Sequence, residues 1–256
     1  MGELVRIADR INTAPRYTEA DAVRLNNMFR GRDTIEMLTV LLRENMLGDA
    51  AIVSSFGAES AVLLHLIASI DPATPVLFLD TGKHFPETIT YREELRNMLG
   101  LLDLRIIAPD TAHLAQKDGT GLRWSYDPDG CCEIRKVAPL RAHLAGFDAW
   151  ITGQRRDQSP TRSEVPIIEF DKAFSTPQRR LIKVNPLANT SSMEVWQLIR
   201  SLEIPYNELH DQGFASIGCE PCSRPVGPGQ HEREGRWWWE EATQKECGLH
   251  IPTKQL

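Results

Sequence analysis

The chain has 256 residues, 41% of them hydrophobic, enough to bury a core without a partner and outside the disordered and fibrous classes. Its formal net charge of −6, with a pI near 5.7, argues against a sequence-blind grip on nucleic acid and leaves room for a small anion held by local cations. No apolar stretch approaches the roughly 18 residues of a membrane span, and the opening residues lack the apolar core of a signal peptide. The five cysteines are therefore expected in a reducing cytoplasm, where structural disulfides rarely persist.

In chain order, Thr18 with Asp21, and Asp33 ahead of an apolar run, read as capped starts of two opening helices. The run at 51–56 reads as a buried strand that breaks at Gly57, with a helix over 60–70 ended by Asp71 and Pro72. The unit recurs: a strand at 75–80 passes through Thr81 and Gly82 to a helix over 86–99, and a third strand follows at 103–109. Further strands are expected at 149–153 and 181–187, with a helix over 192–202. Strands alternating with amphipathic helices imply an α/β fold with a mostly parallel sheet flanked by helices. From about Asn207 the pattern decays into Gly, Pro and charge. We therefore divide the chain into a nucleotide-binding α/β domain with N-terminal helices, 1–206, and an irregular C-terminal extension, 207–256, ending in a mobile tail.

Ligands of such sheets lie beyond the carboxyl ends of the strands, and three polar motifs, at 54–60, 80–83 and 153–162, fall just after predicted strands. The loop from Ser54 and Ser55 through Gly57 and Glu59 to Ser60 joins a strand to a helix, where open N–H groups and the helix dipole favour an anion. It lacks the Gly-Lys-Ser/Thr ending of a Walker loop. Gly153 to Arg162 carries three arginines, Arg155, Arg156 and Arg162, whose forked donors match phosphate or sulfate. Trp237, Trp238 and Trp239 read as packing rather than as a stacking platform. The seven histidines show no metal-binding spacing.

Cysteine spacing is the strongest signal. Cys131 and Cys132 are adjacent, Cys219 and Cys222 form a C-x-x-C pair, and Cys247 stands alone near the end. A tetrahedral zinc accommodates two neighbouring thiolates poorly, whereas a cubane offers each its own iron. This favours a [4Fe–4S] cluster, with zinc as the alternative. Cys247, between Lys245 and His250 in a terminal tail, is a candidate nucleophile whose thiolate nearby cations would favour.

Taken together, the motifs resemble the thioredoxin-dependent assimilatory adenylylsulfate reductases, the iron-sulfur branch of the sulfonucleotide reductases. The likeness runs from about Ile52 to His250. It is carried by Cys131-Cys132-Glu-Ile-Arg135-Lys136, the 153–162 segment, Ile217-Gly218-Cys219-Glu-Pro-Cys222, the stretch from Gln230 to Arg236, and Lys245-Glu-Cys247-Gly-Leu-His250. The resemblance implies an adenine-nucleotide α-hydrolase-like fold, a [4Fe–4S] cluster on Cys131, Cys132, Cys219 and Cys222, and Cys247 as the catalytic thiol. It further implies that Ser54, Ser55, Gly57, Glu59 and Gly153 lie against the nucleotide of adenosine 5′-phosphosulfate, with Lys136, Arg162, Arg233 and Arg236 around its phosphosulfate. Sulfite and AMP would be the products, and thioredoxin the reductant. Phe56, ahead of the loop glycine, is instead like the branch that takes the 3′-phosphorylated nucleotide, so that substrate, or use of both, is the alternative. No nucleic-acid or membrane partner is expected, and a homo-oligomer is compatible with the sequence. An ATP-dependent tRNA thiolase would need a pyrophosphate loop that Ser-Phe-Gly-Ala-Glu-Ser does not match, and an iron-sulfur regulator of nucleic acid is disfavoured by the net charge.

Overall fold

Capping chemistry sets the opening helices. In the computed structural model, which describes residues 17–240, 246 and 248–250, α1 (Glu19–Phe29) begins at a capping box of Thr18 and Asp21. α2 (Thr34–Arg43) begins at Asp33, whose carboxylate accepts from the N–H groups of Ile35 and Glu36. Both caps satisfy donors that a first helical turn leaves open.

The chain then alternates. β1 (Ala50–Ser54), α3 (Ala58–Ile70), β2 (Val76–Leu79), α4 (Pro86–Leu99), β3 (Leu104–Ile107) and α5 (Thr111–Lys117) precede a helical stretch, α6 (Pro128–Cys132) and α7 (Ala138–Leu144). β4 (Ala149–Ile151), β5 (Ile168–Asp171), β6 (Leu181–Val184) and α8 (Ser192–Ser201) complete the regular elements. The sheet runs β3-β2-β1-β4-β6-β5, parallel except for β5, which pairs antiparallel with β6. Every residue of β2, β4 and β6 is buried, as expected of strands covered on both faces. The exposed side of β5 is closed by α1: the Asn26 amide accepts from the N–H of Ile168 and donates to its carbonyl, which blunts a free edge.

The expected strands and the helix over 86–99 are present. α3 starts two residues earlier than expected, and α5, β5 and the stretch from α6 to α7 were not anticipated. Between α6 and α7 lies a π turn, Glu133–Val137, in which the Ala138 N–H donates to the Glu133 carbonyl. Pro139 explains it: a helical proline has no N–H to donate and crowds the carbonyl four residues back, so the turn widens.

The irregular stretch after α8 is strapped to the front of α4. Tyr91 donates to the Pro205 carbonyl at 2.7 Å and Asn207 to the Thr88 hydroxyl at 3.0 Å. The Glu220 N–H donates to the Lys83 carbonyl at 2.7 Å. No helix among the described residues is long and apolar enough to cross a membrane.

Candidate active site

In this strand order the chain leaves β1 toward β2 and enters the other half of the sheet at β4, so β1 and β4 flank the switch point where a crevice opens. The loop after β1 and the loop after β4 meet there. One cleft, with about 1180 Å³ of empty space including its mouth, is lined by Ser54, Ser55, Gly57, Glu59, Lys136, Gly153, Arg162, Arg233 and Arg236. All nine residues expected around the nucleotide and its anion are thus brought together.

Local chemistry explains how. The Ser54 hydroxyl accepts from the Phe56 N–H at 3.1 Å, and Phe56 adopts φ 54°, an uncommon conformation for a bulky residue. This turns its ring away from the cleft and into the core, where it meets Phe78 edge-on at 5.6 Å. Phe56 therefore does not line the cleft. Gly57, at φ −82°, caps α3 without a side chain, leaving the backbone of its first turn open to a ligand. At Gly153 a Cβ would approach the Glu59 backbone and the Ser60 nitrogen to 3.3 Å. The missing side chain allows β4 to end directly against the start of α3.

The arginines divide by role. Arg162 faces the cleft, whereas Arg155, 1% exposed, sits behind it between Glu59 at 2.8 Å and Glu232 at 3.3 Å, with Asp157 on its far side. Arg156 is turned away to the Val165 carbonyl and Asn189. The sequence reading of three arginines as one anion group is corrected: two of them serve the scaffold. Burial opposes ionisation of Glu59, but the Arg155 charge and hydrogen bonds outweigh it and hold the carboxyl below its usual range. Glu232 goes the other way, pushed up to about 7 by burial and then by repulsion from Glu59, against the pull of Arg155.

The four expected cluster cysteines are buried and form no disulfide. Cys131 and Cys132 end α6, while Cys219 and Cys222 bracket a short turn, Glu220–Cys222. Cys132, Cys219 and Cys222 pack with Trp237, flanked by Trp124 and Trp239; Trp237 also lines the cleft, and Trp238 is exposed. Burial and the neighbouring Cys219 charge push the Cys222 thiol up to about 11. At Cys219, burial is outweighed by Lys136, the Thr81 hydroxyl at 3.3 Å, Arg236 and Arg135, and the thiol is lowered. Four buried, unbridged thiols, three of them packed together and with Lys136, Arg236 and Arg135 acting on Cys219, are a donor set suited to an anionic thiolate cluster. Among the described residues no three His, Cys, Asp or Glu side chains converge as ligands of one ion do, whereas a cubane gives each thiolate its own iron.

Residues 49–225 match the phosphoadenosine phosphosulfate reductase domain family. The chain is 51% identical over 207 residues to adenosine 5′-phosphosulfate reductase of Pseudomonas aeruginosa (strain LESB58), covering 79% of this chain and 77% of that protein. The protein of the same name from Mesorhizobium japonicum is 41% identical over 246 residues, 96% and 93% of the two chains. The chain belongs to this reductase family. It is an enzyme, an oxidoreductase acting on a sulfur group. The crystal structure of phosphoadenylyl-sulfate reductase from Candida auris superposes with a TM-score of 0.68 at 25% identity, covering 84% of this chain and all of that one. FMN adenylyltransferase of Candida glabrata, at TM-score 0.54 and 16% identity over 89% and 87% of the chains, shares the fold alone. These neighbours agree with the adenine-nucleotide α-hydrolase-like architecture expected from the sequence.

For this reductase, Cys247 and Lys245 lie outside the described residues. Around them, Leu249 and His250 line the cleft, and His250 stacks parallel to Trp150. Burial, with Lys183, Arg162, Arg233 and Lys136 nearby, lowers His250 well below its ordinary range. It is therefore a neutral imidazole, not the cation that was expected from the sequence to favour a thiolate. The motifs quoted from the sequence contain Arg135, Glu232 and Glu246 but gave them no role; Arg135 is buried and ties the π turn to the Asp118 carboxylate at 2.6 Å and the Thr81 carbonyl at 2.7 Å. A buried acid beside an arginine-rich motif has no local signature.

Glu232 gives a pH-dependent expectation. Its folded value, about 7, lies above its ordinary 4.5, so between those values the fold holds a proton that the unfolded chain has released. Stability falls as pH rises through that window and levels off above it. Glu232→Gln cannot ionise, so the variant should gain up to about 3 kcal/mol relative to the parent between pH 5 and pH 8. Urea unfolding at both pH values checks this; a constant difference would contradict it.

Proposed function

We propose that this chain reduces adenosine 5′-phosphosulfate to sulfite and AMP, with Cys247 as sulfur acceptor and thioredoxin as reductant. The observation that carries the reading is the convergence of Lys136, Arg162, Arg233 and Arg236 on one cleft at the β1/β4 switch point, in a chain whose relatives bear that substrate's name. The Cys247 thiolate attacks the sulfur of the phosphosulfate, the sulfur–oxygen bond to phosphate breaks, and AMP leaves while the four cations stabilise its charge. An S-sulfocysteine remains. A thioredoxin thiolate then attacks the Cys247 sulfur, sulfite departs with the bonding pair, and the second thioredoxin thiol resolves the mixed disulfide, so two electrons pass in all.

Ser54, Ser55, Gly57 and Gly153 bind the nucleotide through backbone and hydroxyl groups, and Glu59 shapes the wall it rests on. Cys131, Cys132, Cys219 and Cys222 would hold a [4Fe–4S] cluster, which would supply a fixed charge centre. The preference for the unphosphorylated nucleotide is supported by the acidic wall: Glu59, Asp157 and Glu232 already surround Arg155, and an added phosphate there would find no dedicated cation. Sulfite release from each sulfonucleotide with reduced thioredoxin tests the function. The expected result is a kcat/KM at least about tenfold higher for adenosine 5′-phosphosulfate; equal or reversed efficiency would favour the 3′-phosphorylated substrate.

A further inference from the structure

Two of the four cations read as the substrate's anion seat already hold an anion, and it belongs to the chain itself. The Glu246 carboxylate, 5% exposed, receives Arg162 Nε at 2.8 Å and the Thr161 hydroxyl at 2.8 Å on Oε1, with the Ser159 hydroxyl at 3.4 Å. Its Oε2 receives Arg162 Nη2 at 2.6 Å and Arg233 Nη2 at 3.4 Å. A planar carboxylate on a guanidinium fork, finished by a second arginine and two hydroxyls, reproduces how a sulfonate or phosphate is bound. Burial opposes its charge, but Arg162 and Arg233 outweigh that and keep it ionised. Two residues on, Gly248 lies against the Val137 side chain and Leu249 joins the apolar cluster of Leu140 and Trp150, so the same carboxylate anchors a segment already lodged in the cleft.

We propose that Glu246 is a positioning residue whose carboxylate occupies the anion seat of Arg162 and Arg233, so that docking of the C-terminal segment and binding of the substrate's anionic group compete for the same pair. The proposal rests on the reading that these arginines receive the substrate. An anion entering the cleft displaces Glu246 and loosens the segment; when the anion leaves, Glu246 returns to Arg162 and Arg233 and again offsets their charge. A seat with its own internal anion also rejects weak competitors such as free inorganic sulfate.

The test uses the full chain with any bound cluster retained, and inorganic sulfate as the probe. In Glu246→Gln the charge is lost but the shape is kept. A charge-assisted hydrogen bond exceeds a neutral one by about 1.4 kcal/mol, a factor of ten, so sulfate should bind about tenfold tighter by calorimetry. Glu246→Asp, which restores the charge, should bring the affinity back toward that of the parent. In the parent, saturating sulfate should speed amide exchange at Gly248 to His250; in Glu246→Gln that exchange should be fast without sulfate. With adenosine 5′-phosphosulfate, the Gln variant should lower KM and lower kcat together, a split that general loss of structure does not produce. Sulfate affinity unchanged or weakened in the Gln variant, or exchange in the parent indifferent to sulfate, would overturn the proposal. Neither sulfate readout needs turnover, so a protein inactive on adenosine 5′-phosphosulfate would refute the proposed function and leave the competition to be judged on binding and exchange.

Discussion

Replacing Cys247 by serine should abolish sulfite release, by at least about 10³-fold, while AMP binding stays within about twofold of the parent. A serine hydroxyl is far less acidic than a thiol and cannot supply an anionic nucleophile at neutral pH without a base. In the cleft the histidine two residues beyond Gly248 is neutral, but it lies in a field of four cations, which favours a thiolate far more than it can help a hydroxyl. Binding is expected to survive because it rests on the β1 and β4 loops and the arginines. Lys136→Ala should behave differently: removing one cation beside the leaving group costs roughly 10²-fold in kcat and leaves the thiol reactive toward alkylating reagents. Steady-state sulfite release with equilibrium AMP binding separates the two patterns. Normal turnover in Cys247→Ser would show that another group accepts the sulfur.

The second large effect is expected at the cysteine cluster. Anaerobically purified protein should be brown, with broad absorption near ~400 nm and about four irons per chain. Cys132→Ser or Cys219→Ser should lose most of that iron, and Cys247→Ser should retain it. The buried setting makes the effect severe: Cys132, Cys219 and Cys222 share one apolar pocket with Trp237, and a serine there buries a hydroxyl without its metal. Loss of the cluster should also lower thermal stability, because α6 and the Glu220–Cys222 turn come from distant parts of the chain and metal ligation would tie them together. Iron analysis with a visible spectrum decides it; a colourless protein carrying one zinc would overturn the assignment.

The parts of the fold legible in sequence are those with one dominant local signal. α4 runs from Pro86 to Leu99 as expected because proline opens it and Gly100, at φ 64°, closes it. β2 was legible as a continuous apolar run, and β6 as a β-branched and apolar stretch interrupted only by Lys183. β5 was not: Ile168–Asp171 alternates acidic with apolar residues, with only its two end residues buried, and its place at the sheet edge depends on Asn26, 142 residues away. The stretch from α6 to α7 was hidden because Pro139 and the π turn break the helical period.

In the site, motif chemistry located the cleft but not the pairing within it. Arg155 and Arg162 are equally good anion ligands by type; what separates them is that Glu59 and Glu232 close on one and Glu246 on the other. Phe56 shows the same limit: its identity resembles one branch of the family, yet its left-handed backbone sends the ring into the core.

The most direct measurement is the intact mass of the protein after incubation with adenosine 5′-phosphosulfate in the absence of thioredoxin, followed by peptide mapping. The account predicts one sulfite-sized addition per chain, on Cys247, released as sulfite when reduced thioredoxin is added. An adduct on any other cysteine, or sulfite formed with no covalent addition to the protein, would contradict it.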